Sequence, residues 1–520
     1  MARDALQTKR LIALHGWLAT ALSLLLYAVM LSGTIVVFSD EIGDWSNTTA
    51  PRADLFSHPV DRHYQRIAAQ VPATLKEDVI IGGGPQGTLR LFFGGARPRI
   101  DGGGVETFGR EYLLDPVNGS VVSAKTGFLA DLSAARPQDA LKDFLVDLHV
   151  RLHVPGRWGL YLTGVLGIAM LVAALTGVLI HRNILKELFV AERPGKRIVS
   201  ARDAHNLAGV WSLPFAILLA FTGAFLSFAV SLGLPVVAMV AFGGDQRAAL
   251  DAVIGTPRAD NAAPAATADL DRILAAAHQM AQAPVAVINI HNAGRADAIV
   301  ETFHGTAPGD VRGVSLEFSG ATGAFEGQSH LVGAAPSVGN TLAELAAPLH
   351  FGNFAGKASR IVWAALGAAM TYTIVSGVGL WLRRRDAPIW SGAAWVFQTV
   401  VWGLPLAMTG AAYGFFLSQF QGDPMDQVVT AFLASSFLVI AFCFLRRSDP
   451  PRHLARHLRR GLGVGLLCLP LLRLQVGGIS WGEAIMGAEA NVIFVDALCL
   501  LGAGIFLAGS RRARLSAAHT

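Results

Sequence analysis

Long apolar stretches separated by polar segments are the dominant pattern along this chain of 520 residues. A helix needs about 20 mostly apolar residues to cross a bilayer. Four stretches clearly reach that length, at 12–38, 158–181, 207–232 and 361–382. Weaker or shorter stretches follow near 393–417, 427–445, 461–475 and 489–509. We therefore predict an α-helical integral membrane bundle of about eight transmembrane helices, of which the seventh is the weakest because Arg473 interrupts its end.

Two long polar segments, 40–150 and 233–348, interrupt the apolar pattern. Each contains one amphipathic stretch, at 64–71 in the first segment and at 270–281 in the second. Each closes with two alternating stretches around a turn pair, Asn118-Gly119 or Thr322-Gly323, and such pairs favour the positive φ of a tight hairpin. These features predict two α+β domains outside the membrane.

The order of span, polar domain and span occurs twice. It predicts helix 1 in 1–39, a first outer domain in 40–150, helices 2 and 3 with their loop in 151–232, a second outer domain in 233–348, helix 4 in 349–385 and a C-terminal membrane region of about four helices in 386–520. Such duplication predicts a four-helix core built from two parallel repeats around a pseudo-twofold axis.

Composition and charge distribution fit a multi-pass membrane protein. Hydrophobic residues make up 52% of the chain and charged residues only 15%, against about a quarter in soluble domains. Basic residues precede the first span, lie between the second and third and between the sixth and seventh, and follow the fourth and eighth. The positive-inside rule places these segments and both termini in the cytoplasm. The net charge of +5 therefore reflects topology, and no nucleic-acid partner is predicted.

The three cysteines, Cys443, Cys468 and Cys499, lie in or beside late apolar stretches. The chain has no C-x-x-C and no C-x-x-C-H sequence. An iron–sulfur cluster and covalently attached haem are therefore not indicated, and we interpret these residues as buried thiols.

Histidines and glycines recur in the first four spans. Each span has a histidine at its entry and a Ser/Thr-Gly pair deep inside: His15 with Gly33, His153 with Gly177, His205 with Gly223, and His350 with Gly377. Eighteen residues separate His15 from Gly33 and also His205 from Gly223. A helix rises about 1.5 Å per residue, so each of these pairs spans about 27 Å, close to the hydrocarbon thickness.

Because the spans alternate in direction, two layers are predicted. The inner layer contains His15, His205, Gly177 and Gly377, and the outer layer contains His153, His350, Gly33 and Gly223. Two imidazoles in a layer suit the axial positions of one haem iron, and glycines allow close approach. The predicted cofactors are two b-type haems, which would form a path for electrons across the membrane.

Other ligand assignments remain open. His181 is an alternative inner ligand, and His149, one helical turn from His153, is an alternative outer ligand. Arginine and lysine side chains suit haem propionates. The candidates are Arg151, Arg157, Lys357 and Arg360 outside, and Lys9, Arg10 and Arg202 inside. His453 and His457 are interpreted as a solvated pair in a basic loop.

Several segments resemble known families. Residues 112–121 are similar to the closing hairpin of PepSY domains, and the segments Pro348-Leu-His-Phe-Gly352, Gly177-Val-Leu-Ile-His-Arg182 and Asp203-Ala-His-Asn-Leu207 are similar to the PepSY-associated transmembrane family. The resemblance covers about 10–385. That family includes iron-regulated inner-membrane proteins and haem-containing ferric-siderophore reductases.

The residues and the resemblance together predict a haem-dependent oxidoreductase that passes electrons to a ferric siderophore or another ferric chelate on the periplasmic side. The electron donor would be a quinol or a cytoplasmic reductant, and membrane lipid surrounds the spans. No catalytic residue is identified. Two alternatives are a non-enzymatic PepSY envelope regulator or binding protein, and a transporter of metal or siderophore.

Overall fold

The computed structural model describes residues 5–47, 55–98, 105–134, 137–180, 197–245, 248–249, 260–307, 309–331, 336–385, 387–418, 424–486 and 489–515. The chain forms two compact units. The first, here called the membrane unit, contains 1–48, 137–232 and 349–520, and the second, here called the sheet unit, contains 49–136 and 233–348. The alternative inner ligand His181 lies outside the described residues.

Helices make up most of the membrane unit and also occur in the sheet unit. In chain order the described α-helices are α1 (Ala5–Ala21), α2 (Ser23–Val36), α3 (Ser39–Ser46), α4 (Val60–Ala68), α5 (Leu129–Ala134), α6 (Ala140–Arg151), α7 (Arg157–Ile180), α8 (Arg197–Phe228), α9 (Leu234–Ala241), α10 (Leu270–Ala281), α11 (Val338–Phe351), α12 (Gly356–Leu382), α13 (Pro388–Ser418), α14 (Pro424–Leu445), α15 (Pro451–Gln475), α16 (Trp481–Met486) and α17 (Ala490–Leu515).

Six described helices are long and apolar enough to cross a bilayer: α7, α8, α12, α13, α14 and α17. The pair α1 and α2 makes a seventh crossing if the two are counted together. The predicted seventh span is present as the helix α15, but it carries a basic N-terminal half and Arg473 near its end. Length and composition therefore give six or seven crossings among the described residues, against the predicted eight.

The first span is bent by 67° between α1 and α2. Ser23 Oγ donates a hydrogen bond of 2.8 Å to the carbonyl of Thr20, three residues earlier. A side chain that takes a carbonyl in this way competes with the backbone ladder of the helix. The straight-line separation of about 27 Å between His15 and Gly33, expected from a continuous helix, therefore does not apply to this span.

The second and fourth crossings are preceded by turns that resemble each other. Leu152 and His153 follow α6 with φ of 53° and 55°, and Gly352 follows α11 with φ of 67°. Gly156 and Gly356 then stand at φ of 66° and 59°, directly before or at the start of α7 and α12. These glycines are 200 residues apart in the sequence. The duplication is therefore visible also in the backbone conformation of these turns.

The sheet unit contains one antiparallel sheet of eight strands. The strands are β1 (Asp78–Gly83), β2 (Leu89–Pro98), β3 (Val105–Leu114), β4 (Val121–Phe128), β5 (Val285–His291), β6 (Ile299–Thr306), β7 (Gly313–Ser319) and β8 (Phe325–Ser329). Their order across the sheet is β4-β3-β2-β1-β5-β6-β7-β8. Each polar segment thus supplies one four-stranded meander, and β1 pairs with β5 in the register Ile80 to Asn289. The two segments share one sheet.

The helices α4 and α10 bury one face of this sheet. Apolar side chains from both segments form a single core, which includes Val79, Ile81, Ile288 and Ile290. The two helices also cap each other, because Asp271 Oδ1 accepts from the backbone N–H of Val60 at 2.7 Å and Asp61 Oδ1 accepts from that of Leu270 at 3.2 Å. A carboxylate at a helix N-terminus satisfies donors that have no partner within the helix.

Candidate functional site

The inner histidines each contact the glycine-bearing helix of their own repeat. His15 on α1 places Nδ1 3.0 Å from the carbonyl oxygen of Ala173 and 3.1 Å from Thr176 Oγ1, both on α7. A methyl group added at Gly177 would lie 3.6 Å from His15 Cε1. The imidazole of His15 therefore lies against the glycine at ordinary contact distance.

His205 on α8 repeats this arrangement against α12. Its Nδ1 lies 3.1 Å from the carbonyl oxygen of Thr373 and 3.1 Å from Ser376 Oγ. A methyl group at Gly377 would lie 2.9 Å from His205 Cε1, so the glycine is required for this approach.

Two outer histidines lie on the helices that precede the second and fourth crossings, and they contact the first and third crossings. His149 on α6 places Nδ1 2.9 Å from the carbonyl oxygen of Val29 on α2, and His350 on α11 places Nδ1 2.9 Å from Thr222 Oγ1 on α8. Methyl groups at Gly33 and Gly223 would lie 2.7 Å and 3.0 Å from the Cε1 atoms of these rings. All four predicted glycines therefore face a histidine ring.

These hydrogen bonds fix the tautomer of the rings. A carbonyl oxygen only accepts, so Nδ1 of His15, His149 and His205 carries the proton and donates it. Thr222 uses its own hydroxyl proton on the carbonyl of Leu218 at 2.7 Å, so its oxygen accepts from Nδ1 of His350. In neutral rings of this tautomer the lone pair is on Nε2, which is the arrangement of a histidine prepared to bind a metal.

His149 and His350 meet across the two repeats. Their ring centres are 6.2 Å apart and their planes are inclined by 25°. A metal–imidazole bond is about 2 Å long and a ring nitrogen lies about 1.2 Å from its ring centre, so two imidazoles on opposite sides of one metal ion have ring centres about 6.4 Å apart. The separation of this pair suits two axial ligands of one metal ion.

His153 lies elsewhere, although it was the first choice for the outer layer. Because Leu152 and His153 adopt left-handed backbone conformations, the helix α6 has ended before His153. The ring lies 4.4 Å from that of Phe144, and Nδ1 lies 2.9 Å from Asp147 Oδ2. The structure therefore brings His350 together with the alternative ligand His149.

A sequence interval could have distinguished these two histidines. His350 precedes Gly377 by 27 residues, His149 precedes Gly177 by 28, and His153 precedes it by 24. Counting back from the glycine of each repeat thus favours His149.

Some predicted propionate partners bind carboxylates of the protein. Arg360 donates from Nη1 to Glu41 Oε2 at 2.6 Å and from Nη2 to Asp40 Oδ2 at 3.0 Å. Arg151 Nε lies 3.8 Å from Asp147 Oδ1. The ammonium of Lys357 lies 5.6 Å from the ring centre of Phe494. These contacts make Arg360 a link between α3 and α12.

Within the described residues no three His, Cys, Asp or Glu side chains converge on one point where a metal ion could bind. Metal ions such as zinc that protein side chains hold usually take three or four protein ligands, whereas haem iron takes one or two because the macrocycle supplies the others. The histidine pair suits a haem better than a caged ion.

Comparison with known proteins places this arrangement in a family. The chain is 31% identical over 270 residues to the uncharacterized protein PA4219 of Pseudomonas aeruginosa, and the aligned region covers 47% of this chain and 64% of that relative. The family model described as PepSY-associated TM region matches residues 12–384, which contain both repeats with all four histidine–glycine contacts. This membrane protein, with six or seven candidate spans among its described residues and an antiparallel sheet unit, belongs to the PepSY-associated TM family.

Proposed function

We propose that this protein binds two b-type haems in its duplicated four-helix core and passes electrons across the bacterial inner membrane to a ferric complex on the outer side. The observation that carries the proposal is the pair His149 and His350, whose ring centres lie 6.2 Å apart with nearly parallel planes. His15 and His205 occupy equivalent positions against Gly177 and Gly377 and would form the second pair.

Hydrogen bonds from neighbouring helices hold each of the four imidazoles in place. Backbone carbonyls or a threonine hydroxyl accept from each Nδ1, which orients the ring and raises the basicity of Nε2. The glycines let the rings approach the neighbouring helices closely. Bound haem would supply one-electron transfer, while the apolar helices exclude water and set the potential.

A ferric siderophore is the substrate that fits this chemistry best. Hard oxygen donors hold ferric iron more strongly than ferrous iron, so reduction would release the metal. Basic residues follow α12 and lie between α14 and α15. The positive-inside rule places these ends in the cytoplasm, so electrons would travel from the inner pair to the outer pair.

The test is an optical spectrum and haem quantification of the purified full-length protein. We expect a Soret band, an α-band that sharpens on reduction with dithionite, and two haems per chain by pyridine haemochrome analysis. The ferric form should be re-formed when a ferric hydroxamate is added to the reduced protein.

A colourless protein that folds normally would reject the proposal and favour an envelope regulator or a transporter. One haem per chain in a fully loaded preparation would reject the second pair. Haem that dithionite reduces but no ferric complex oxidises would leave haem binding intact and reject the reductase.

A further inference from the structure

Three consecutive arginines follow α12, and one of them is held differently from the other two. Arg383 and Arg384 are exposed, whereas Arg385 is partly buried. Nη1 of Arg385 donates a hydrogen bond of 2.9 Å to the carbonyl of Trp381, which lies in the last turn of α12. The side chain of Arg385 therefore folds back onto the end of the helix.

Three indoles from three helices surround this guanidinium, and we call Trp17, Trp381 and Trp390 the tryptophan cage. The guanidinium carbon of Arg385 lies 3.3 Å from the ring centre of Trp381 on α12, and 5.6 Å and 5.5 Å from those of Trp17 on α1 and Trp390 on α13. Trp381 also contacts the other two indoles edge to face, with ring centres 5.3 Å and 4.7 Å apart. A guanidinium held by its faces in this way keeps N–H donors around its edge for other partners.

The tryptophan cage lies beside the inner pair of histidines. Trp381 is one turn after Gly377 on the same face of α12, and a methyl group at Gly377 would lie 2.9 Å from His205. A methyl group at Gly16, the neighbour of His15, would lie 3.3 Å from Cδ1 of Trp381. Four residues of helix rise about 6 Å, so the indole of Trp381 lies roughly one turn from the inner pair, on the side where α12 ends.

The charge of Arg385 has no carboxylate partner among the described residues; the next residue, Asp386, lies outside them. The inner cations predicted from the sequence as propionate partners are less suitable. Lys9 and Arg10 are exposed, and Nη2 of Arg202 lies 3.7 Å from the carboxylate of the adjacent residue. Arg385 therefore combines a fixed position with an edge that can bind an anion.

A haem propionate is an anion that suits this position. The two propionates project from one edge of the macrocycle, roughly 8 Å from the iron, and this distance corresponds to about one and a half turns of helix. A guanidinium can donate two parallel hydrogen bonds to one carboxylate. The guanidinium stacked on Trp381 lies within that reach of the level at which His205 contacts Gly377.

We propose that Arg385, held by the tryptophan cage, binds a propionate of the inner haem and positions that haem; this inference rests on the proposed function. A positive charge at this place favours the ferrous iron over the more positive ferric iron, so it raises the reduction potential of the inner haem. The outer side has no equivalent in Arg360, because Glu41 and Asp40 accept from its guanidinium. The two haems therefore differ in how they respond to loss of an arginine.

The first test is a spectroelectrochemical titration of the full-length protein with its haems. Arg385→Met removes the charge and keeps a long side chain, and Arg384→Met is the matched control because Arg384 is the exposed neighbour. We expect the potential of one haem to fall in Arg385→Met while that of the other stays unchanged. Both potentials should stay at the wild-type values in Arg384→Met. Arg385→Lys keeps the charge without the planar fork, so its potential should fall less, and it replaces Arg385→Met if that variant does not fold.

The second test asks whether the carboxylate itself is recognised. The full-length protein is produced in cells that make no haem and receive equal amounts of haemin and haemin dimethyl ester, whose esters carry no charge. The wild type should retain haemin over the ester by about tenfold or more, as expected for hydrogen bonds between charged groups. Arg385→Met should lose most of this preference, and Arg384→Met should keep it. A guanidinium that serves only helix packing or a lipid phosphate would not distinguish the two compounds.

Unchanged potentials in Arg385→Met, equal shifts of both haems, or the same preference for haemin in all variants would each overturn the inference and keep the haem proposal. Equal effects of Arg384→Met and Arg385→Met would also overturn it, because they would indicate surface charge in general. A folded protein that retains neither haemin nor its ester would reject the haem proposal itself.

Discussion

At the scale of single residues, each of the four core histidines is matched by a glycine and a hydrogen-bond acceptor on a neighbouring helix. The acceptor lies one to four residues before the glycine, as Thr222 does before Gly223 or Ala173 before Gly177. A helix therefore presents both the space and the acceptor on one face. The hydroxyls of Thr176, Ser376 and Thr222 take part in these contacts. The exception is Ser32, whose hydroxyl bonds within its own helix while His149 bonds to the carbonyl of Val29.

The outer ligand assignment gives the first prediction. His149→Ala and His350→Ala should each remove one haem per chain, because each takes one of two axial ligands away. His153→Ala is the matched control, since His153 lies on the same connection but contacts Asp147 and Phe144. Haem quantification and the α-band measure the effect. Loss of haem in His153→Ala but not in His149→Ala would reverse the assignment.

The glycines give the second prediction. A methyl group at Gly33 would lie 2.7 Å from His149, whereas one at Gly177 would lie 3.6 Å from His15, an ordinary contact. Gly33→Ala should therefore displace the ring and cost about 1–3 kcal/mol, and Gly177→Ala should be tolerated. Thermal unfolding and the outer haem signal measure this difference. Similar behaviour of the two variants would show that the glycines serve only helix packing.

At the scale of elements, a buried ion pair joins α15 to α17. Arg473 Nη2 donates to Asp496 Oδ2 at 2.7 Å, and the two side chains are 1% and 2% exposed. The indole N–H groups of Trp45 on α3 and Trp481 on α16 also donate to this carboxylate, at 2.7 Å and 2.8 Å. The charge that weakened the prediction of a seventh span is thus the one that holds the C-terminal helices together.

The third prediction follows from this network. Asp496→Leu leaves the buried guanidinium of Arg473 without its counter-ion and should cost about 3–5 kcal/mol. Adding Arg473→Met should recover part of the loss because no charge then remains buried. Asp449→Leu is the control, since the Arg446–Asp449 pair is exposed and should contribute less than about 1 kcal/mol. Equal shifts in the thermal unfolding of the two Asp→Leu variants would contradict this.

At the scale of the whole molecule, both units are assembled from both repeats. In the membrane unit His149 of the first repeat meets His350 of the second. In the sheet unit β1 of the first segment pairs with β5 of the second. Neither repeat is complete alone, because each contributes half of the outer histidine pair and half of one continuous sheet.

The fourth prediction is that the stability of the pairing between β1 and β5, which joins the two segments, depends on pH. His291 on β5 donates from Nδ1 to Asp78 on β1 at 2.9 Å. This hydrogen bond raises the pKa of His291 above 6.5, the charges of Asp78, Glu301 and Glu317 raise it further, and burial opposes them. The protonated ring therefore stabilises the joint fully below about pH 6.5, and this contribution is lost as pH rises through the raised pKa.

Hydrogen exchange of the β1 and β5 amides measures this effect. The wild type should be better protected than His291→Gln at about pH 6, and the difference should shrink at about pH 8.5. His278→Gln is the control because His278 is exposed on α10. A difference that grows with pH would contradict the sign of this prediction.

The sequence by itself determined the features that depend on local composition and spacing. Apolar length identified the six or seven described helices that can cross a bilayer, because a crossing needs about 20 apolar residues, but it also counted α15 as an eighth. The order of segments and the recurring histidines and glycines revealed the duplication, and the pairs Asn118-Gly119 and Thr322-Gly323 marked two hairpins that the structure contains, with φ of 70° at Gly119 and 73° at Gly323.

Only the tertiary structure decided which distant groups meet. The left-handed turn at Leu152 and His153 separates His153 from the face of α6 that carries His149. Hydrophobic periodicity does not encode such a turn, although the interval to the glycine of each repeat favours His149. The pairing of β1 with β5 depends on how segments far apart in the chain pack in space. The ion pair between Arg473 and Asp496 likewise depends on how α15 packs against α17. Spacing specifies which faces are apolar or reactive, but the partner of each face is fixed by the packing of the whole chain.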